Sequence, residues 1–178
     1  ALVPDVFLKG EQYTKIAIAV LALAAILSLG AGLRYLLTTE FMPYHAVVSG
    51  KSWVQLEPGL QSIILGMLKI VGGGFLACGV ALLWLLIPIY RGEAWSRWAA
   101  LCVAVAVWVP TQYITIVLRS ANSTAQTPVV PTAVILCLVL VGFTLSFFAG
   151  KRASPDGANK RGNLTPEKRV QVTLFVMI

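Results

Sequence analysis

Ile70-Val71-Gly72-Gly73-Gly74-Phe75-Leu76-Ala77-Cys78-Gly79-Val80-Ala81-Leu82-Leu83-Trp84-Leu85-Leu86-Ile87-Pro88-Ile89-Tyr90 is an apolar run without a single charged side chain. A helix rises about 1.5 Å per residue and the hydrocarbon core of a bilayer is about 30 Å thick, so ~20 such residues cross it. Backbone N–H and C=O groups meet no water in hydrocarbon and must pair within their own segment, so the run is predicted to be a helix. Three further runs of this kind cover residues 16–33, 99–118 and 129–149. The first is the shortest, but Thr14 and Leu36 can extend it at both ends. No A-x-A-like site follows it, and it is longer than the usual h-region, so a cleaved signal peptide fits poorly. The predicted fold class is all-α: a polytopic membrane protein, a four-transmembrane-helix bundle over residues 1–150. A basic cytoplasmic tail with an apolar C-terminal end follows over residues 151–178.

Composition agrees. Of 178 residues, 58% are hydrophobic and 12% charged, and the mean hydropathy is +0.83. That leaves room for one bundle with short loops and none for a second domain. A net charge of +7 would suit nucleic acid, but the basic residues cluster beside the spans, so a bilayer is the expected partner and nucleic acid is not. Their distribution sets orientation. The N-tail carries Lys9 and Lys15, the second loop Arg91 and Arg97, and the C-tail Lys151, Arg152, Lys160, Arg161, Lys168 and Arg169. The other side carries Arg34, Lys51 and Arg119, with Lys69 near the mouth of the second span. The positive-inside rule then places both termini in the cytoplasm and the first and third loops outside.

The second span reads as the packing element. Gly72, Gly73, Gly74 and Ala77 are small, and Gly73, Ala77 and Ala81 recur every four residues on one face. Lipid gives helices no hydrophobic reason to associate, so close approach through small residues drives packing. Ala24, Ala25, Ser28, Gly30 and Gly32 of the first span offer a matching surface. The alternative is that Gly72, Gly73 and Gly74 unwind to line a site, as broken helices do in transporters. In the third span Pro110 is expected to kink the helix, with Thr111, Gln112 and Tyr113 re-satisfying the freed carbonyl or lining a polar pocket. Cys78, Cys102 and Cys137 lie inside spans without a C-x-x-C pair and read as small buried hydrophobes.

The first loop holds the densest polar chemistry: Glu40, Tyr44, His45, Trp53, Glu57 and Gln61 sit above the apolar bundle, with Arg34 and Lys69 nearby. They form a candidate hydrogen-bonded cap over a cavity. Pro58 is well placed to start the second long helix above the membrane. Lys69 has three readings: snorkelling to the outer interface, a structural ion pair with Glu57 or Glu40, or a proton or substrate role. His45 as a general base or metal ligand is the sharper reading, and an ordinary interfacial histidine the plainer one. One histidine with scattered carboxylates is a weak ligand set, so no metal site is predicted. In the second loop, Trp95 and Trp98 beside Arg91 and Arg97 read as an interfacial anchor. The third loop, residues 120–131, reads as a plain connector, with an Asn122-Ser123-Thr124 sequon on its outward side. In the tail, residues 151–169 read as a basic linker on the anionic leaflet. Residues 170–178 are too short to span and read as a strand, a docking peptide or a membrane-lying segment.

The motifs Phe41-Met42-Pro43-Tyr44-His45, Trp53, Pro58-Gly59-Leu60-Gln61, Gly72-Gly73-Gly74 and Arg91-Gly92-Glu93-Ala94-Trp95-Ser96-Arg97-Trp98 resemble those of a group of small uncharacterised bacterial four-helix membrane proteins. The resemblance covers residues 14–150 and implies a bundle in a bacterial inner membrane. It brings no reaction and no cofactor. Three functions are then open: a small subunit or interaction protein that packs against itself or a larger membrane complex; a binding or transport module for a lipophilic or quinone-like ligand held beneath the first-loop cap; and a lipid-modifying enzyme using His45, Glu40 and Glu57 in acid–base work. A cavity walled by the second and third spans separates the last two from the first.

The orientation is tested by cysteine-accessibility labelling at positions 45 and 154 in a cysteine-free background. Position 45 should label from outside the cell and position 154 only after permeabilisation; the reverse pattern overturns the assignment.

Overall fold

The computed structural model describes residues 3–148, with side chains from residue 10 onward. The expectations for residues 151–178, and for the last residue of the fourth span, lie outside this range. Among the described residues the chain is all-helical: α1 (Val3–Leu37), α2 (Pro43–Ser49), a 3₁₀ turn (Trp53–Gln55), α3 (Pro58–Tyr90), α4 (Ala94–Ala121) and α5 (Val129–Phe148). Four helical stretches are long and apolar enough to cross a membrane: Gly10–Leu37, Pro58–Tyr90, Ala94–Ala121 and Val129–Phe148. The chain is therefore a four-helix membrane bundle. α1 packs against α3 and α5, and α4 closes the ring against the same two helices.

The bundle is packed small-side-in. Ala17, Ala24, Ala25, Ser28, Ala100, Ala104 and Ser146 are buried, whereas Ile26, Leu33, Ile70, Trp84, Ile114 and Val134 are largely exposed. An outer surface this apolar is stable only against hydrocarbon. Large side chains lose nothing by facing lipid tails, so small residues are left to set the helix–helix distance.

Three contacts depend on glycine. A Cβ on Gly32 would meet the Leu76 backbone nitrogen at 2.8 Å and the Gly72 carbonyl oxygen at 2.9 Å. One on Gly72 would meet the Gly32 oxygen and the Leu36 nitrogen at 3.0 Å, and one on Gly79 the Ala25 oxygen at 2.9 Å. These are backbone atoms and cannot rotate aside. This corrects the packing face expected from sequence. Gly72 does meet α1, but with Gly79 and Phe75 rather than with Gly73, Gly74 and Ala77. Around Gly73 and Gly74 a Cβ would find open space, and Ala77 is exposed. The glycine triplet stays helical throughout. A period of four on the sequence does not reveal which of several overlapping stripes the neighbouring helix chooses.

Depth can be read from helix rise. Tyr90, Trp95 and Trp98 lie exposed at the end of the bundle where α3 meets α4, the proximal end. About 20 residues back along α3, one hydrocarbon thickness away, stands Lys69. α3 starts at Pro58, as the proline suggested, and so runs for twelve residues up to and including Lys69. On α1, Tyr13 and Arg34 are separated by nearly the same distance. The opposite, distal end is closed by the segment between α1 and α3. Phe41, Leu56 and Leu68 are buried there against Tyr35, Trp53 and Ile64. At Gly50 the backbone turns left-handed (φ 67°) to end α2, a conformation that favours glycine. Pro110 lies within α4, and the Thr111 hydroxyl bonds the Val107 carbonyl at 2.7 Å rather than the Ala106 carbonyl that the proline frees.

Gly32→Ala should cost about 1–3 kcal/mol through overpacking, because its methyl group strikes backbone on α3. Gly73→Ala should leave the thermal midpoint unchanged or slightly raised. Both are measured by thermal denaturation in detergent, followed by circular dichroism. Equal losses in the two variants would contradict the assignment of the contact face.

Candidate functional site

α1 ends beside the start of α5, and α2 folds back over the gap between them. Tyr35, on the last turns of α1, and Tyr44, in the first turn of α2, bring their hydroxyls to 2.8 Å. Beneath this pair lies a cavity of about 560 Å³, within the ~300–1,000 Å³ typical of small-molecule sites. Its floor is an aromatic stack, Phe75 on Trp108, with centroids 4.7 Å apart and planes 1° from parallel. Trp108 is fixed by its indole N–H, which donates to the Ser28 hydroxyl at 3.2 Å; Ser28 in turn donates to the Ala24 carbonyl at 2.8 Å. An indole in mid-span needs such a partner, since its N–H finds no water there.

The walls are apolar: Ile26, Leu27 and Ala31 from α1, and Pro131 and Ile135 from α5. Ile26 and Gly30 also lie on the exposed face of α1, so the cavity opens sideways through the bundle wall. From Arg34 at the rim down to Ile26 is eight residues, or ~12 Å of helix. Arg34 is the one charged residue lining the cavity among the described residues, and it stands at the rim with Tyr35, Tyr44 and Gln126. One phenol of the pair donates to the other, which leaves a second O–H free to donate outward. Burial first, then the neighbouring Tyr35 oxygen, pushes the Tyr44 phenol well above the usual tyrosine range, against the pull of Arg34. It stays protonated and therefore a donor at physiological pH. The arrangement can hold an elongated apolar body with an acceptor at its outer end.

The other residues singled out in the first loop take structural roles. The His45 Nδ1 accepts the Met42 backbone N–H at 3.2 Å, while the His45 backbone N–H donates to the Met42 carbonyl at 2.8 Å. The Nδ1 bond is the one that a glutamate or glutamine at this position makes in a capping box, while the other is an ordinary backbone turn bond. His45 also lines a second, smaller apolar groove of about 370 Å³, with Phe41, Leu56, Ile64 and Met67. Trp53 packs edge-on against Phe41 at 5.2 Å, and its carbonyl accepts the Gln61 side-chain amide at 2.8 Å. The Lys69 ammonium donates to the Leu36 carbonyl and, at 2.6 Å, to the Thr38 carbonyl. It thus closes the C-terminal end of α1, where unpaired carbonyls and the helix dipole favour a cation. Neither an ion pair with Glu40 or Glu57 nor free snorkelling describes it.

Glu40 and Glu57 are exposed, and among the described residues no hydrogen bond or ion pair joins them to His45, Arg34 or Lys69. The expected network of side chains is replaced by side chain–backbone bonds. Gln112 lies on α4 against Thr132, whose hydroxyl also faces the Pro128 carbonyl at 2.9 Å. Of the residues expected to bind ligand, Tyr44 alone lines the larger cavity and His45 the smaller groove. Tyr35, Trp108 and Gln126 were not expected. The one signal for Trp108 was an aromatic N–H in mid-span; nothing local marked the others. Among known proteins, no family model, curated protein or solved structure matches the chain.

Burial lowers the His45 pKa from the ordinary 6.5. The unfolded chain therefore takes the proton first as pH falls, and the proton also removes the acceptor for the Met42 N–H. The stability His45 lends is complete above about pH 6.5 and declines as pH drops through and below that value. His45→Gln keeps an acceptor at the same place without titrating. The thermal midpoint of the wild type should fall relative to His45→Gln between pH 7.5 and 5. Parallel curves for the two proteins would remove this role.

Proposed function

We propose that this protein binds a lipophilic ligand in the distal cavity between α1, α4 and α5, admitting it sideways from the bilayer. The observation that carries the reading is the coincidence of three features in one place. The cavity is walled by apolar side chains, it opens on the lipid-facing side of α1, and it ends in a polar rim of Arg34, Tyr35 and Tyr44. Apolar pockets with a few convergent polar groups are the usual form of small-molecule sites. The setting we infer is a bacterial inner membrane with both termini cytoplasmic, which puts the rim at the outer leaflet. The basic residues flanking the proximal end support that orientation.

A second reading is that the protein is a subunit packing against a copy of itself or another membrane chain. It is favoured by the outward face of α3, where Gly66, Gly73 and Gly74 leave open space beside exposed Ala77. Small residues of this kind allow close helix approach. A lipid-modifying enzyme built on His45, Glu40 and Glu57 has less support, since no hydrogen bond among the described residues connects the three.

Gly30 lines the cavity with free space at its Cβ position, so Gly30→Trp is the substitution chosen to fill it. The wild type, purified in mild detergent and analysed by native mass spectrometry and organic extraction, should carry a lipophilic molecule that Gly30→Trp loses by tenfold or more. Equal retention in both would refute the cavity reading. Gly73→Leu should leave that ligand bound; if it also lowers the oligomeric state, the second reading gains.

A further inference from the structure

The rim of the distal cavity is charged in one sense only. Arg34 brings a full positive charge, and among the described residues no acidic side chain lines the cavity with it. The Tyr35–Tyr44 pair adds an outward phenol donor, so the rim is rich in donors and holds no countercharge. Close by, between the lining residues Gln126 and Pro128, the Thr127 hydroxyl is buried and, among the described side chains, has no hydrogen-bond partner. Below the rim the lining turns mainly apolar for ~12 Å, the eight-residue rise from Arg34 to Ile26, and the hydroxyls of its two threonines, Thr111 and Thr132, are taken up by carbonyls of their own helix or its first turn. The opening lies on the exposed side of α1, within a span. A donor-rich, cationic rim at headgroup depth above an apolar slot at tail depth matches one kind of molecule. Guanidinium and phosphate pair through parallel N–H···O bonds, and arginine is suited to this by its planar fork.

We propose that the occupant of the distal cavity is a phospholipid with an anionic headgroup. Its phosphate lies at Arg34 and the Tyr35–Tyr44 hydroxyls, and an acyl chain lies along Ile26, Trp108 and Ile135. This rests on the lipophile-binding reading and adds the class of headgroup. A soluble phosphate ester has no use for the apolar slot, and a zwitterionic lipid brings its own cation against Arg34.

The test uses the full chain in neutral detergent. Phosphatidylglycerol and phosphatidylcholine with matched acyl chains are titrated in, and binding is read by native mass spectrometry and by the shift in thermal midpoint. Phosphatidylglycerol should bind about tenfold more tightly. Arg34→Gln should bring it down to the phosphatidylcholine level, and Tyr44→Phe should weaken it several-fold. Arg34→Lys, which keeps the charge without the fork, serves as the second variant if Arg34→Gln does not fold, and should retain part of the preference. A preference that survives intact in Arg34→Gln assigns it to basic residues elsewhere and overturns the proposal. Equal binding of the two lipids, lost in Gly30→Trp, overturns the headgroup while leaving the lipophile cavity standing. Failure of both lipids to bind overturns both the headgroup and the lipophile cavity. Displacement of phosphatidylglycerol by an equal concentration of glycerol 3-phosphate would mark a site for soluble anions and overturn the lipid assignment.

Discussion

Everything in this bundle hangs on how closely α1 approaches its neighbours. At Gly32, Gly72 and Gly79 the backbones of α1 and α3 touch with no side chain between them. At Gly142 of α5 it is a side chain, that of Leu21 on α1, that fills the place of the missing Cβ. In water such contacts would be minor beside the burial of large apolar residues. In lipid, where leucine gains nothing by moving inward, close approach is the main gain available. α1 therefore serves as the central post, with α3 on one side and α5 on the other. α4 meets α3 and α5 but not, to the same extent, α1. The distal cavity lies on the diagonal between α1 and α4. A tight α1–α3 seam and an open α1–α4 diagonal are two outcomes of one packing solution.

The polar groups follow the same logic. Hydrocarbon tolerates few unpaired donors, so most in-span hydroxyls return to a carbonyl of their own helix, as Ser28, Thr111 and Ser146 do. Bonds between helices are rarer and more informative. Trp108 to Ser28 pins α4 to α1 across the core, and Lys69 ties α3 to the end of α1. Membrane hydrogen bonds of this kind contribute on average only ~0.6 kcal/mol each. Their larger effect is to fix geometry: Trp108 becomes a stable floor, and the end of α1 is held where Tyr35 can meet Tyr44. A site that binds a lipid needs such a floor and rim, because loose acyl chains bring little orientation of their own.

The four spans, their approximate limits and the early start of α3 at Pro58 were legible because each depends on local chemistry alone. Length, absence of charge and a helix-starting proline can all be read in sequence order. The exposed position of Trp95 and Trp98 at the turn between α3 and α4 was legible for the same reason, whereas the place of Arg97 over the Phe147 ring at 5.3 Å was not. The site was only partly legible. Tyr44 stood out as one polar aromatic in a crowded loop. Its partner Tyr35 is a residue of α1 that nothing local distinguishes from any other interfacial tyrosine. Gly73 had the right period for packing and the wrong azimuth, because period fixes a stripe only up to rotation about the helix axis.

The sequence by itself determined that this chain lives in a bilayer and crosses it four times, since the cost of burying backbone and charge in hydrocarbon is set residue by residue. It also determined that α3 is dense in glycine. Tertiary structure decided which glycines face α1, where the loop between α1 and α3 folds, and what its polar residues do. His45 became a helix cap and Lys69 a clasp on α1, while Glu40 and Glu57 remained at the surface. The physical reason is that these outcomes depend on the relative rotation and offset of helices far apart in sequence. Those are fixed by many weak contacts summed over the whole interface, and no short stretch of residues carries that sum.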